Sequence, residues 1–438
     1  MLLKLNEFLE WVYDKEIVLF TYEVESSDFI KNSITTLNFK EPNDSNIRTL
    51  SCPIRKKDNA IFLRTIRKCL LEISPKTIIT YGFKDFLNFI PGKFESRAEI
   101  YDVQLMESII HETISHPHDR PECADLLKRF SFINSKLNKN QSKLYHKILI
   151  PSAYAYSEME KYGLPTKYGI NFYSYYDLSG TVSGRLVNTS FENKKFINPL
   201  NLPKKERNII KAPPGFKFII TDYNAMEMRM LGFLSQDETF YSVFKSEEDI
   251  YTFIGKYIFQ NGNSDIDNTT REFIKSLCFL IIYGGSEYGF ANKHGCSQET
   301  AKKLIKKFYE LFPKVEEWSV QIQIDILEKG YVESVFGRKR YLDLEEESAL
   351  RKGQNFLVQS PANDITILAL LELTQSLLED SRVLIHLHDS ITILTPEEKA
   401  QGNANIIKEI MTNPSKISDF GINNISLSPV LTFSNDWR

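Results

Sequence analysis

Two aspartates sit where carboxylates can do metal chemistry. Asp222 follows the apolar run FKFII (216–220), at the point where a buried strand would end and a helix begin, and Asp389 lies between the apolar segments VLIHL and ITIL, at the tip of a short hairpin. Carboxylates on rigid strand ends offer hard oxygen ligands at short range, the donor set that a pair of magnesium ions needs for phosphoryl transfer. Either aspartate alone reads as a helix cap or a turn residue. A third feature changes the weighing. In REFIKSLCFLIIYGG the residues Arg271, Lys275, Phe279 and Tyr283 recur every four positions, forming one slanting stripe on a helix. Its cationic half suits a polyphosphate, Arg by forked hydrogen bonds and Lys as a point charge, and its aromatic half offers flat apolar surface. A mixed amphipathic helix would look similar, but Gly284 and Gly285 follow at once and leave room for a strand of some other molecule to pass close.

The elements that must position these groups are readable in outline. EIVLFT (16–21) and IITY (78–81) have the β-branched and aromatic content of buried strands and predict an α/β domain over residues 1–135. The polar stretch SKLNKNQSK (135–143) reads as a linker or exposed turn. A helix over 145–162 follows, then an irregular Gly/Ser/Asn/Pro-rich stretch (178–205). Spaced apolar residues behind polar starts predict helices over Asp222–Phe244, Ile250–Phe259, Thr270–Tyr283 and Gln298–Leu311. No internal repeat is seen.

Composition sets the outer bounds. The 438 residues carry 54 Lys plus Arg against 57 Asp plus Glu, a net charge of −3, so any polyanion site is local rather than global. With 42% hydrophobic and 12% aromatic residues the chain can bury a sizeable core. Cys52, Cys69, Cys123, Cys278 and Cys296 are scattered without CxxC spacing, which argues against a zinc site and a disulfide framework. The N-terminal MLLKLNEFLEWVYDKE lacks a cleavage signal and no run approaches 18 apolar residues, so the expectation is a soluble, unprocessed protein of the cytoplasm, or of a host cytoplasm if viral, with no membrane partner.

These residues resemble a known set. TDYNAMEMR (221–229) resembles motif A of family A DNA polymerases, Arg271, Lys275, Phe279, Tyr283 and Gly284 reproduce the spacing of motif B, and LHDS (387–390) resembles motif C. GRL (184–186), GYVESVFGRKRYL (330–342) and RKGQNFLVQSPANDI (351–365) resemble further segments of the same family, in the same order. The resemblance implies a multidomain α+β chain: an N-terminal exonuclease-like (RNase H-like) α/β domain over 1–135, a vestigial thumb over 144–183, and palm and fingers over 184–438 with the fingers at about 235–330.

It also implies roles. Asp222, Asp389 and the carbonyl of Tyr223 would hold two Mg2+ ions, with Mn2+ as a substitute. Arg271 and Lys275 would grip the triphosphate, Lys275 also donating a proton to pyrophosphate, and Tyr283 would guard the template base position. In this family Phe at position 279 goes with poor use of dideoxynucleotides. Glu227 corresponds to the gate that excludes a ribose 2′-hydroxyl. Arg185, Arg351, Asn355, Gln359, His388 and Gly284 would line the primer and template; a donor in the minor groove meets an acceptor at the same place in every correct pair and so tests shape without reading sequence. The implied partners are primer–template DNA, deoxynucleoside triphosphates and a processivity or replisome protein.

The sequence departs from the family in three places. Ser390 stands where motif C carries a third carboxylate. LYHKILIPSAYAYSEMEKYGLPTK (144–167) resembles the helix that leads into the thumb, yet Gly184 arrives about twenty residues later, where the family has a much longer stretch. In the first domain Glu23, Glu25, Asp85 and Asp102 stand near exonuclease motif positions, but the tyrosine motif carrying the last acidic ligand is not evident, which favours a degenerate exonuclease-like domain, with an active exonuclease as the alternative. The rival activities are a single-subunit RNA polymerase and a weakened DNA-binding relative of a polymerase. Glu227 argues against the first, and the retention of Asp222, Lys275 and Asp389 against the second.

Overall fold

The structure is a computed structural model and describes residues 5–437 except 13–14, 25–33, 45, 52–61, 68–75, 91–96, 111–120, 189–195, 247 and 260–265. Glu25 lies outside the described residues.

The apolar run at 17–24 forms β1 (Ile17–Val24), which is buried along most of its length because it is covered on both sides. It is the middle strand of a five-stranded sheet with β2 (Ile34–Lys40), β3 (Arg48–Ser51), β4 (Thr77–Thr80) and β5 (Glu99–Asp102), in the order β3-β2-β1-β4-β5. β1, β2 and β3 pair antiparallel, whereas β4 lies parallel to β1 and to β5. Helix α1 (Phe83–Phe89) follows β4 directly and buries Phe83, Phe86 and Leu87.

The polar stretch at 135–143 is only half a turn. Asn138 and Gln141 form a reciprocal capping box, so helix begins at Lys139, and a π-helical turn (Tyr145–Leu149) carries the chain into α2 (Ile150–Tyr162). α2 packs on α1 through charge as well as apolar surface. Glu160, wholly buried, accepts from Lys84 Nζ at 2.6 Å, from Asn88 at 2.5 Å and from the Tyr176 N–H at 2.6 Å. Lys84 also lies 3.6 Å from Asp85 and 3.7 Å above the ring of Tyr175.

The second sheet is antiparallel throughout. It contains β6 (Phe216–Tyr223), β7 (Arg382–Leu387), β8 (Ser390–Pro396) and β9 (Pro429–Ser434), in the order β7-β8-β6-β9. A small core behind it joins Phe218, Leu384 and Leu394 to Leu164, Ile210 and Trp437, so the C-terminal segment closes the sheet's rear.

The single helical stretch expected over Asp222–Phe244 is replaced by a strand and two helices. β6 runs on through Tyr223, α3 occupies Met226–Ser235, and a further helix occupies Glu238–Lys245. Sheet hydrogen bonds to both neighbours hold Asp222 extended, which local periodicity cannot register. Gln236, at φ 56°, ends α3, and Asp237 starts the next helix by accepting from Thr239 N–H. Farther on lie α4 (Asn268–Ile282), capped by Asp267, and α5 (Ala349–Ser376), a 28-residue helix buried along much of its length.

Candidate active site

Strand register makes the site. Asp222 on β6 pairs with Ser390 on one side and Val430 on the other, and Leu387 pairs with Ser390, leaving His388 and Asp389 as a two-residue loop at the same end of the sheet. Tyr223 N–H donates to the Asp389 carbonyl at 3.3 Å and fastens the loop to the end of β6. The chain then turns sharply. Ala225 takes a left-handed conformation (φ 52°), rare for a residue with a Cβ, and α3 starts at the next residue with Glu227 in its first turn.

These groups line a cleft of about 640 Å³ together with Arg185, Arg271, Lys275, Phe279 and Tyr283. The α4 stripe therefore faces the two aspartates. The rings of Phe279 and Tyr283 lie tilted against each other at 33°, with centroids 5.7 Å apart. Arg271 makes a two-pronged pair with Asp249, at 2.7 and 3.0 Å, and its guanidinium lies 5.1 Å from the Tyr251 ring centroid. The Lys275 ammonium acts on Asp222 by attraction.

Glu227 is held at both oxygens. Arg185 donates to Oε1 at 2.9 Å and the Tyr283 hydroxyl to Oε2 at 2.9 Å. Arg185 is presented by a turn in which Gly184 has φ 78°; a Cβ there would lie 2.5 Å from Arg338 Cζ. Arg338 is buried and forks onto Asp364 at 2.8 and 3.0 Å, while Asn363 donates to the Gly184 carbonyl at 2.9 Å. Glycine is required at 184 both for the backbone conformation and for the close approach of the guanidinium.

The electrostatics favour a cation. Burial pushes the Asp389 carboxyl up to about 7, with Glu227 and Asp222 adding repulsion against the attraction of Arg185. Asp222 projects into the open cleft, yet the surrounding protein raises it too, in spite of Lys275. Two oxygen ligands that repel each other and hold their protons too tightly suit a hard divalent ion, which relieves both effects. Among the described residues no group of three His, Cys, Asp or Glu side chains is placed to hold a metal. Ser390 stands at this end of the sheet, paired with Asp222 and with Leu387.

Two of the remaining expected residues belong to the cleft wall. His388, exposed with φ 56°, and Tyr223 line it. Gln359 hydrogen-bonds Tyr283, Arg351 is exposed beside Gly284, and Asn355 Oδ1 is buried without a hydrogen-bond partner. In the first sheet the acidic residues do other work. Asp102 accepts from the N–H groups of Gly82 and Phe83 at 3.0 and 2.7 Å, anchoring the start of α1, with burial holding its carboxyl at about 6. Asp85 accepts from the Tyr175 hydroxyl at 3.1 Å, and Glu23 is exposed and accepts from Asn38.

Asn224, Ala225, Asp249, Tyr251, Val430 and Thr432 also belong to the site. Asp249 carries a sequence signal of a kind, since it caps the helix Ile250–Phe259 by accepting from Thr252 N–H. Nothing local points to its pairing with Arg271, or to β9 as a wall of the cleft.

Residues 159–437 match the family described as DNA polymerase family A. The thermostable DNA polymerase I of Thermus aquaticus is 31% identical over 246 residues, 54% of this chain and 29% of that protein. DNA polymerase I of Caldicellulosiruptor bescii is 30% identical over 245 residues, with the same two shares, 54% and 29%. The matched region thus spans less than a third of either relative. Among solved structures, the POL domain of Pol1 from M. smegmatis, in complex with DNA primer-template and dNTP, superposes with a TM-score of 0.82 at 16% identity, covering 99% of this chain and 98% of that one. At that identity the likeness concerns the fold.

Proposed function

The chain belongs to DNA polymerase family A, and from that premise we propose that it is a DNA-directed DNA polymerase, adding deoxynucleotides to a primer 3′-hydroxyl. The observation that carries this reading is the convergence of Asp222 and Asp389 with Arg271, Lys275, Phe279 and Tyr283 on one cleft. Mg2+, or Mn2+ in its place, held by Asp222, Asp389 and the Tyr223 carbonyl, would supply Lewis acidity at the attacking and leaving oxygens. The chain's own groups do the rest. Arg271 and Lys275 bind the triphosphate at the cationic end of α4, and Lys275 protonates the departing pyrophosphate. Phe279 and Tyr283 hold the base and sugar, and Glu227, clamped by Arg185 and Tyr283, fills the space of a ribose 2′-hydroxyl. A gate fixed at both oxygens favours this reading over an RNA polymerase.

The N-terminal sheet is read as an exonuclease-like, RNase H-like domain without nuclease activity. Its strand order supports the likeness, with three antiparallel strands followed by two parallel ones. The loss of activity is supported by Asp102, spent on anchoring α1, and by the Lys84 ammonium, which pairs with Glu160 and lies 3.6 Å from Asp85. An active exonuclease is the alternative; degradation of an unpaired 3′ end would reveal it. The thumb is read as vestigial. Between the end of α2 and Gly184 the described elements are only two-residue strands, Leu164–Pro165, Asn171–Phe172 and Tyr176–Asp177. A processivity or replisome protein would then supply the missing grip on the duplex.

Extension of a primed DNA template with Mg2+ and dNTPs, abolished in Asp389→Asn and Asp222→Asn, is the direct test. Absence of extension by the wild-type chain would overturn the reading.

A further inference from the structure

The loop that carries Asp389 is conformationally costly and short, and it is tied down by a residue on a different element. His388 is non-glycine at φ 56° in a two-residue connection, a position where glycine or asparagine is usual. Directly below it, His386 on β7 is 1% exposed, and its Nε2 lies 2.7 Å from the His388 carbonyl oxygen. Its Nδ1 lies 2.5 Å from the hydroxyl of Tyr156, which is wholly buried on α2. The two rings are nearly parallel, at 23°.

The chemistry of the four atoms sets the direction of the hydrogen bonds. A carbonyl oxygen only accepts, so His386 Nε2 carries the hydrogen. In the neutral ring Nδ1 is then a lone pair, and the Tyr156 hydroxyl donates to it. The chain Tyr156 O–H to Nδ1, Nε2–H to the His388 carbonyl is complete, with both polar hydrogens and both ring nitrogens used. It fixes the peptide plane between His388 and Asp389, and hence the direction in which the Asp389 side chain leaves the backbone. Tyr223 N–H holds the next carbonyl, that of Asp389. The loop's two carbonyls are thus each held by a residue outside the loop.

We propose that Tyr156 and His386 are positioning residues of the polymerase site, a buried relay from α2 that presets Asp389 to receive a divalent ion. The proposal rests on the polymerase reading for its consequence in catalysis and on the geometry alone for its effect on the metal. Partners that orient metal ligands change affinity or rate by about 10–100-fold when removed. Because the relay acts on the carboxylate and not on the nucleotide, its loss lowers kcat and metal affinity while the KM for dNTP stays in place. Glutamine at 386 has one donor and one acceptor at the tip of its side chain and can replace both bonds, whereas phenylalanine at 156 or leucine at 386 breaks the relay.

The test uses the full chain as wild type, Tyr156→Phe, His386→Leu and His386→Gln. Nitrogen-15 NMR of the histidine rings reports the tautomer, Mn2+ titration followed by electron paramagnetic resonance reports the metal site without catalysis, and primer extension gives kcat and KM. The expected results are a neutral His386 with hydrogen on Nε2, Mn2+ affinity and kcat lower on the order of tenfold in Tyr156→Phe and His386→Leu, and recovery in His386→Gln. Tyr156→Phe guards against a His386→Leu variant that fails to fold. A ring protonated on Nδ1, unchanged Mn2+ affinity in Tyr156→Phe, or no recovery with glutamine would each overturn the relay. A wild type that cannot extend a primer would instead overturn the polymerase reading, leaving the NMR and Mn2+ measurements to decide the relay.

Discussion

The Tyr283 hydroxyl donates to Glu227 at 2.9 Å, joining the C-terminal end of α4 to the first turn of α3 in the wall of the cleft. Arg185 takes the other carboxylate oxygen at the same distance, 2.9 Å, so the gate cannot swing aside without breaking a charged hydrogen bond.

That clamp predicts sugar selectivity. Glu227→Ala is expected to lower discrimination against ribonucleotides by roughly 10–200-fold, the range a single pocket contact supplies, with little loss of kcat for dNTPs. Steady-state competition between dCTP and CTP measures it. Ready ribonucleotide use by the wild type would contradict the gate.

Asp389 sets activity against stability. Its carboxyl is raised from 3.8 to about 7 in the fold, so over that interval the folded chain binds more protons than the unfolded one. Stability of the metal-free protein therefore falls as pH rises through this window and is not recovered above it. Asp389→Asn, unable to ionise, is expected to raise the metal-free Tm at pH 8 by ~2 °C while abolishing extension. Calorimetry across pH 5–8 with chelator present checks this, and a lower Tm for the variant would refute it.

Grip on the backbone supplies most sequence-independent affinity, and its salt dependence counts phosphate contacts. With so short a segment between α2 and Gly184, primer–template binding by the isolated chain is expected to be weak and salt-sensitive. Extension in the presence of a trap for released enzyme should give short products. Long products from one encounter would show that the duplex is held without a thumb or a partner.

The buried pair of Lys84 and Glu160 fastens the N-terminal sheet to α2. Glu160→Gln leaves a buried ammonium with a diminished partner and is expected to cost about 3–5 kcal/mol. The double variant Lys84→Met, Glu160→Gln should recover part of that, because the unpaired ammonium disappears while the amide oxygen can still accept from the Tyr176 N–H. Urea unfolding of the three proteins tests the comparison, and equal stability of single and double variants would show that the pair is not coupled.

Much of the catalytic end was legible without the fold. The four-residue spacing of Arg271, Lys275, Phe279 and Tyr283 needs only helical geometry to become a stripe, and two apolar runs around His388 and Asp389 need only a hairpin to set the aspartate at its tip. Such patterns are local, and the backbone enforces them whatever surrounds it. What tertiary structure alone decided are the relations between distant segments. It placed Asp222 in register between Ser390 and Val430, where local periodicity favoured helix. It paired Arg185 with Glu227 and Asp249 with Arg271. It slid Arg338 beneath Gly184, set Asp102 against the N–H groups at the start of α1, and brought Tyr156 against His386 across 230 positions of sequence. Each depends on which surfaces pack together, and burial then sets the price of leaving a charge or a donor unpaired, a quantity that no short stretch of sequence contains.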